Sequence, residues 1–172
     1  MHNINELFEM LDSNNDAEIQ IAGIEEAKQI KFFSILFQPV ENKSVWENCA
    51  KVIVTKSNSE LYESILDMFE WLRDLNWPGF QIILKRLKQF PVQTISYWLS
   101  YSIKKARMEK DDLWLVGLSY LCTEREVYNR LNRKEKRIMW KTMKKMNITV
   151  SYEEEKLNAL KLYLEQKDTT IE

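Results

Sequence analysis

The sequence predicts an all-α protein, a stack of antiparallel helical hairpins (an α-α superhelix) whose repeat, taken up below, is HEAT-like, and three observations predict the helices. Glycine and proline are scarce, three of each in 172 residues, whereas an all-β chain of this size needs many such residues for its tight turns. Apolar residues recur at spacings of three and four, the period of one helix face. A capping device also recurs at the breaks between apolar runs: Ser, Thr or Asn three residues before Glu, in Ser44/Glu47, Ser57/Glu60, Thr123/Glu126, Asn132/Glu135 and Ser151/Glu154. In such a box the first side chain accepts from the backbone N–H three residues on, and the Glu reaches back to the cap's own N–H.

About nine helices follow in order. Ile19, Gly23, Ala27 and Ile30 line one face of a helix opening near Asp16. Trp46, Cys49, Ala50 and Ile53 line the next, and Leu61, Ile65, Met68 and Leu72 a third. After Asn76 the chain restarts at Trp77-Pro78, proline being favoured at a first helical position where its missing N–H costs nothing. Ile82, Ile83 and Leu87 carry that helix to the break at Phe90-Pro91, and Ile95, Trp98, Leu99 and Ile103 carry the next. Trp114 to Leu121 follow Asp111-Asp112, Ile138 to Met146 follow Asn132, and Leu157 to Leu164 follow Ser151. Val52-Ile53-Val54 is a β-branched cluster, but it closes a helical pattern, and Asn147 to Val150 reads as a short extended connector. One hairpin cannot hide its apolar face alone, so neighbours stack. The expectation is a single domain over residues 1–172, with helices in 123–166 extending the stack and 167–172 as a frayed end.

Composition excludes several function classes. The one histidine, His2, stands at the start, and Cys49 and Cys122 show no C-x-x-C spacing. A histidine-based catalytic pair or zinc site is therefore not expected. The cysteines read either as a redox or metal pair or as two small buried residues in a reducing compartment. The phosphate-binding and hydrolase motifs built on glycine are missing, and the acidic runs Glu25-Glu26 and Glu153 to Glu155 put neighbours about 100° apart on a helix rather than face to face. No cofactor and no small-molecule substrate are expected. The start MHNINELFEM lacks a basic n-region, and no run of eighteen apolar residues exists, so the expectation is a cytoplasmic protein that does not enter a membrane. Charge is uneven: residues 1–75 carry 14 acidic and 6 basic side chains, residues 76–146 carry 6 and 16, and the remainder 6 and 3. Such polarity marks a partner surface or simply sets opposite charges side by side in the fold.

The densest motif is EWLRDLNWPG, Glu70 to Gly79. Trp71 closes one helix, Asp74 or Asn76 can cap the one that Pro78 opens, and Trp77 can staple the two together. A buried indole N–H needs an acceptor, which a nearby Asp can supply. Asp74-Leu-Asn-Trp77 recurs as Asp111-Asp112-Leu-Trp114, an offset of 37 between the tryptophans that lies near the period of HEAT and armadillo units. With SELYESILDMF before it and an apolar helix after it, the segment resembles a bacterial domain family of unknown function sharing a W-L-x-D-x-N-W-P core and a later D-x-x-W. Those elements are here Trp71, Leu72, Asp74, Asn76, Trp77 and Pro78, then Asp111 and Trp114. Val45 to Ile53 also looks like that family, and the likeness covers roughly residues 12–122. The resemblance implies HEAT-like helical repeats and brings no reaction, cofactor or catalytic residue.

One basic element stands out, Arg130 to Met146. Ile138, Met139, Thr142, Met143 and Met146 form one face with Trp140 beside it, while Arg133, Lys134, Lys136, Arg137, Lys141, Lys144 and Lys145 occupy much of the rest. It reads either as a surface for an acidic partner or nucleic acid, or as the solvated back of a packed helix. The function expected is non-catalytic binding of a macromolecule, a protein in the first instance, in its most concrete form a bacterial immunity-type protein that neutralises a cationic toxin with its acidic half. The alternative is a nucleic-acid enzyme similar to the HEAT-like glycosylases for alkylated bases, with Trp71, Arg73 and Asp74 in a groove. It requires those residues and the basic segment to share one cleft.

Overall fold

The computed structural model describes residues 3–39 and 42–146. Among these the chain forms ten α-helices, four 3-10 turns and no strand: an all-α protein. The helices are α1 (Ile4–Met10), α2 (Ala17–Ala27), α3 (Trp46–Ile53), α4 (Asn58–Leu61), α5 (Ile65–Glu70), α6 (Phe80–Leu87), α7 (Val92–Glu109), α8 (Asp112–Ser119), α9 (Arg125–Arg130) and α10 (Arg133–Lys145). The 3-10 turns span Phe33–Leu36, Lys43–Val45, Trp71–Arg73 and Tyr120–Thr123. The connector 147–150, the Ser151/Glu154 box, the Leu157–Leu164 helix and the frayed end all lie outside the described residues.

Two of the expected capping boxes form, Ser57/Glu60 at α4 and Asn132/Glu135 at α10, and Asn3/Glu6 adds a third at α1. Two do not. Ser44 donates its hydroxyl and its N–H to Asn42 Oδ1, so Asn42 opens the 3-10 turn and α3 starts inside it without a side-chain cap. Thr123 turns its hydroxyl back to the Tyr120 carbonyl at 2.8 Å, leaving Glu124 at the head of α9.

One core runs from Leu7 to Met143. The expected faces of α3 and of the α4–α5 segment are fully buried: Cys49, Ala50 and Ile53, then Leu61, Ile65, Met68 and Leu72. The α2 face differs. Gly23 and Ala27 are buried, but Ile19 is 43% exposed, because α2 packs mainly on α1 and α3. At the centre is α8, buried along every residue from Trp114 to Ser119 and packed by α7, α10 and the Trp71–Arg73 turn. A helix apolar all round is a core helix. Gly117 lets that turn approach: a Cβ there would lie 1.9 Å from the Leu72 carbonyl oxygen. The two residues between α7 and α8 form a tight hairpin, with Lys110 in the left-handed region (φ 57°) and Asp111 as the next N-cap.

Candidate functional site

Two regions compete for the role of site. In the first, the tryptophan corner, Trp71 is completely buried and caps α5. Its Nε1 donates to the Pro78 carbonyl at 2.9 Å, and Trp114 Nε1 donates to the Phe69 carbonyl at 2.9 Å. Trp46 Nε1 donates to the Pro39 carbonyl at 2.8 Å and meets Trp71 and Trp77 edge-on, with ring centroids 5.9 and 5.3 Å apart. The acceptors are thus backbone carbonyls, at two turns and at the end of α5, not the aspartates expected. Neither Asp74 nor Asn76 caps α6. Asp74 Oδ1 instead accepts from the Asn76 N–H at 2.9 Å, holding the turn, and Asn76 is exposed. Pro78 is not a first helical residue: the turn continues to Gly79, whose φ of 84° makes it the N-cap of α6, a conformation that glycine takes without steric cost. Asp111 does cap α8, accepting from the Trp114 N–H at 2.9 Å. The two D…W copies therefore differ, with Trp114 inside its helix and Trp77 half-buried ahead of its own.

Arg73 ties the corner together. Its Nε reaches Glu70 at 2.6 Å, Nη1 reaches Asp111 at 2.9 Å and Nη2 reaches Glu109 at 2.7 Å, while the guanidinium lies 4.0 Å from the centre of the Trp114 ring. Lys105 adds a second cation to Glu70. Burial alone would push the Glu70 carboxyl up, but hydrogen bonds from Arg73 and Lys105 outweigh it and hold the group below its ordinary range. Burial likewise opposes the charge on Arg73, and its bonds to Glu70 and Glu109 reverse that. The sequence held no sign of this cluster, whose members come from α5, α7 and the head of α8. Chemically the corner offers little outward: the Trp46, Trp71 and Trp114 ring N–H groups end on backbone carbonyls, and Arg73 and Lys105 are paired with the carboxylates around them.

The second region lies between α7 and α10. Glu135 of the capping box is buried between them, accepting from Asn132 N–H at 3.1 Å and from Ser100 Oγ at 2.5 Å, with Lys104 Nζ at 3.8 Å. Met139 and Met143 fill the inner face of α10. Beside them opens a cleft of about 880 Å³. Ile103, Leu115 and Ile138 give it an apolar floor, and Lys104, Arg107, Lys134, Arg137 and Lys141 line its rim against two carboxylates, Asp112 and Glu135. Among the described residues, Arg107, Lys134, Arg137 and Lys141 have no carboxylate partner. A shallower groove of about 450 Å³ shares Lys104 and continues to Tyr97, Tyr101 and Arg130. Tyr97 is 68% exposed and Met108 83%.

Of the seven cations that the sequence singled out, three line this cleft: Lys134, Arg137 and Lys141. Arg133, Lys144 and Lys145 are exposed elsewhere on α10, Lys144 lying 5.1 Å from the Trp140 ring centre. Lys136 folds back, donating to the Asn129 carbonyl at 2.8 Å. The sequence reading missed Lys104 and Arg107, whose spacing from Ser100 along α7 was the available signal. None of Trp71, Arg73 or Asp74 lines the cleft, and the first two are buried or fully engaged. The acidic half forms a separate cleft of about 910 Å³ with Glu9 and Asp12 in its lining, where Asp12 is engaged by Asn14 and Asn42.

Elsewhere, burial pushes the Cys49 thiol up to about 12 and raises Cys122 as well, so both stay neutral thiols. Among the described residues no group of His, Cys, Asp and Glu is placed to hold a metal, and no helix is long and apolar enough to cross a membrane.

A family model described as "Domain of unknown function (DUF5071)" matches residues 46–163. It starts later than the motif likeness placed at 12–122 and runs further, adding α9 and α10. Comparison with curated proteins and with solved structures gives no match.

Proposed function

The chain belongs to the DUF5071 family, and from that premise we propose that it is a non-catalytic module that binds another protein through the trough between α7 and α10. One observation carries the reading: an apolar floor flanked by five cations, four of them without a described carboxylate partner, extended by exposed Tyr97, Tyr101 and Met108. Aromatic residues, Met and Arg are the types enriched where proteins meet. The partner is then a protein with an acidic, amphipathic segment, and charge complementarity speeds its capture.

The same trough suits an immunity-type protein that masks a toxin, and this is the most specific form of the proposal. Use of the acidic N-terminal half against a cationic toxin is less well supported. Residues 1–45 fall outside the family match, and Asp12 of the acidic cleft is already held by Asn14 and Asn42. A reducing, cytoplasmic setting fits the two buried thiols. A scaffold of stacked HEAT-like pairs would hold such a trough rigid.

The test is a photo-crosslinking residue placed in the full chain at Tyr101 or Met108, in its own cell. A covalent adduct with one protein, abolished by Arg137→Glu with Lys141→Glu, is expected. An adduct formed only from Glu9, an adduct with nucleic acid, or none at all overturns the reading.

A further inference from the structure

We infer that a second copy of this chain docks in the trough with its helix α2, so that copies associate head to tail. The inference rests on the docking character proposed for the trough and names one occupant of it.

The acidic helix α2 has an open outer side. Its Gly23 and Ala27 are buried on the inner side, where α1 and α3 pack, while Glu18, Ile21, Ala22 and Glu25 are exposed. Those four stand at i, i+3, i+4 and i+7, which is one face of a helix. Ile21 is 60% exposed on that face, an apolar residue between two carboxylates. Among the described residues Glu18 has no cation partner. Glu25 meets Lys28 at 2.5 Å in an exposed pair, a kind that adds little stability and yields readily to a competitor.

The trough presents the reciprocal surface, an apolar floor of Ile103, Leu115 and Ile138 under a cationic rim. On its α10 wall Lys134, Arg137 and Lys141 stand at i, i+3 and i+7 and all are exposed. Glu18 to Glu25 and Lys134 to Lys141 both cover seven residues, a rise of about 10 Å in each helix. Two carboxylates can therefore meet two ammonium groups in one register while Ile21 lies on the floor. The eleven residues of α2 span about 16 Å, within the roughly 20 Å of the α10 wall.

The contact needs two molecules. In one chain α2 packs on α3, α3 on α6, α6 on the Trp71–Arg73 turn and that turn on α8, which carries α7 and α10. Helix α2 and the trough stand at opposite ends of that path. The charge division agrees, with 14 acidic and 6 basic side chains in residues 1–75 against 6 and 16 in residues 76–146. A contact between unlike surfaces leaves each pair with one free trough and one free α2, so it can propagate. One helix in one groove is a small interface and a weak one. The trough holds one helix at a time, so a different protein bound there ends the row of copies.

Sedimentation velocity of the purified full chain tests this. At low salt the sedimentation coefficient should climb through the micromolar range, and it should fall to that of a single chain in 1 M salt, where the screening length is about 3 Å. Ile21→Asp should weaken association about tenfold or more, as should Arg137→Glu with Lys141→Glu. Glu18→Gln with Glu25→Gln, which keeps the shape of α2, should act in the same direction. All should keep the thermal unfolding midpoint of a folded chain, since each side chain is exposed. An equal mixture of Ile21→Asp with the Arg137→Glu/Lys141→Glu chain should form pairs of one each and nothing larger, because one supplies the intact trough and the other the intact α2. A chain that stays single at every concentration overturns the inference. So does association indifferent to the α2 changes, or a mixture that fails to pair. A single purified chain together with a cellular adduct to a different protein removes this inference alone. Head-to-tail pairing together with a cellular adduct only to its own copy removes the docking of a different protein alone.

Discussion

The tryptophan corner and the α7–α10 trough use the same kinds of residue to opposite ends. Both combine aromatic rings, arginine or lysine, and carboxylates. In the corner Arg73 meets three carboxylates and a ring face, and the indole N–H groups of Trp71 and Trp114 end on backbone carbonyls. In the trough the rings stand out in solvent, and four cations have no described counter-charge. The contrast teaches that residue type does not separate a closed region from an open one. Satisfaction does: a buried polar group without a partner costs free energy, so a finished corner is closed, whereas exposed cations beside an apolar floor remain open, and it is there that we place the proposed docking face.

Stability should divide along the same line, and the corner holds the largest effects. Trp114→Ala removes a fully buried ring from the middle of the fold and should cost about 3–5 kcal/mol in urea unfolding. The Phe69 carbonyl loses its donor and Arg73 loses its ring face as well. Tyr97→Ala in the trough removes a ring that is 68% exposed, and should stay within about 0.5 kcal/mol. Equal losses would erase the distinction.

Gly117→Ala comes next. In an ordinary exposed helix this change stabilises by roughly 1 kcal/mol through backbone entropy. Here the new Cβ meets the Leu72 carbonyl oxygen at 1.9 Å, a backbone atom that cannot swing aside, so the sign should invert to a loss of about 1–3 kcal/mol. A stabilised G117A would mean that α8 and the Trp71–Arg73 turn are not pressed together.

How far these regions could be read in advance depends on how local their causes are. The apolar faces of α3, α6 and α7 were legible because a helix face is written every three or four residues. The boxes at Ser57 and Asn132 were legible for the same reason. The Ser44 box was not, because Asn42, two residues earlier, captures that serine, and competition between neighbouring polar side chains leaves no periodic trace. Gly79 as the N-cap escaped because Pro78 offered a plausible helix start of its own. The Arg73 cluster escaped for a different reason: Glu109 and Asp111 lie 36 and 38 residues away, and only tertiary packing introduces them. The trough was half legible. Lys134, Arg137 and Lys141 stood out as a charge run, whereas Lys104 and Arg107 gain meaning only once α7 lies alongside α10.

Within the corner, pH should act through Glu70. Its folded value lies below the ordinary 4.5, so its contribution is fully present above 4.5 and is lost as pH falls through the lower folded value. Lys105 is raised above 10.5, so its share is present below 10.5 and goes as pH rises through the folded value. Glu70→Gln should cost about 1–2 kcal/mol at neutral pH, and the gap from the unsubstituted chain should close in acid. A gap constant down to acid pH would show that the carboxylate's charge is irrelevant to the corner.

The smallest stability effect, and the sharpest test of the contrast, belongs to the trough. Arg137 and Lys141 stand on the exposed side of α10 with no described carboxylate to lose, beside other cations. Replacing both by Glu deletes like-charge repulsion and breaks no described ion pair. Unfolding free energy should therefore move by about 0.5 kcal/mol or less. Capture of the proposed acidic protein partner through Tyr101 should nevertheless disappear, because the rim would then repel it. Arg73→Glu should do the reverse, lowering stability through three repelling carboxylates while leaving the trough's cations in place in whatever fraction stays folded. If the trough substitutions unfold the chain, its cations are structural like those of the corner, and the division between a closed architectural region and an open recognising one fails.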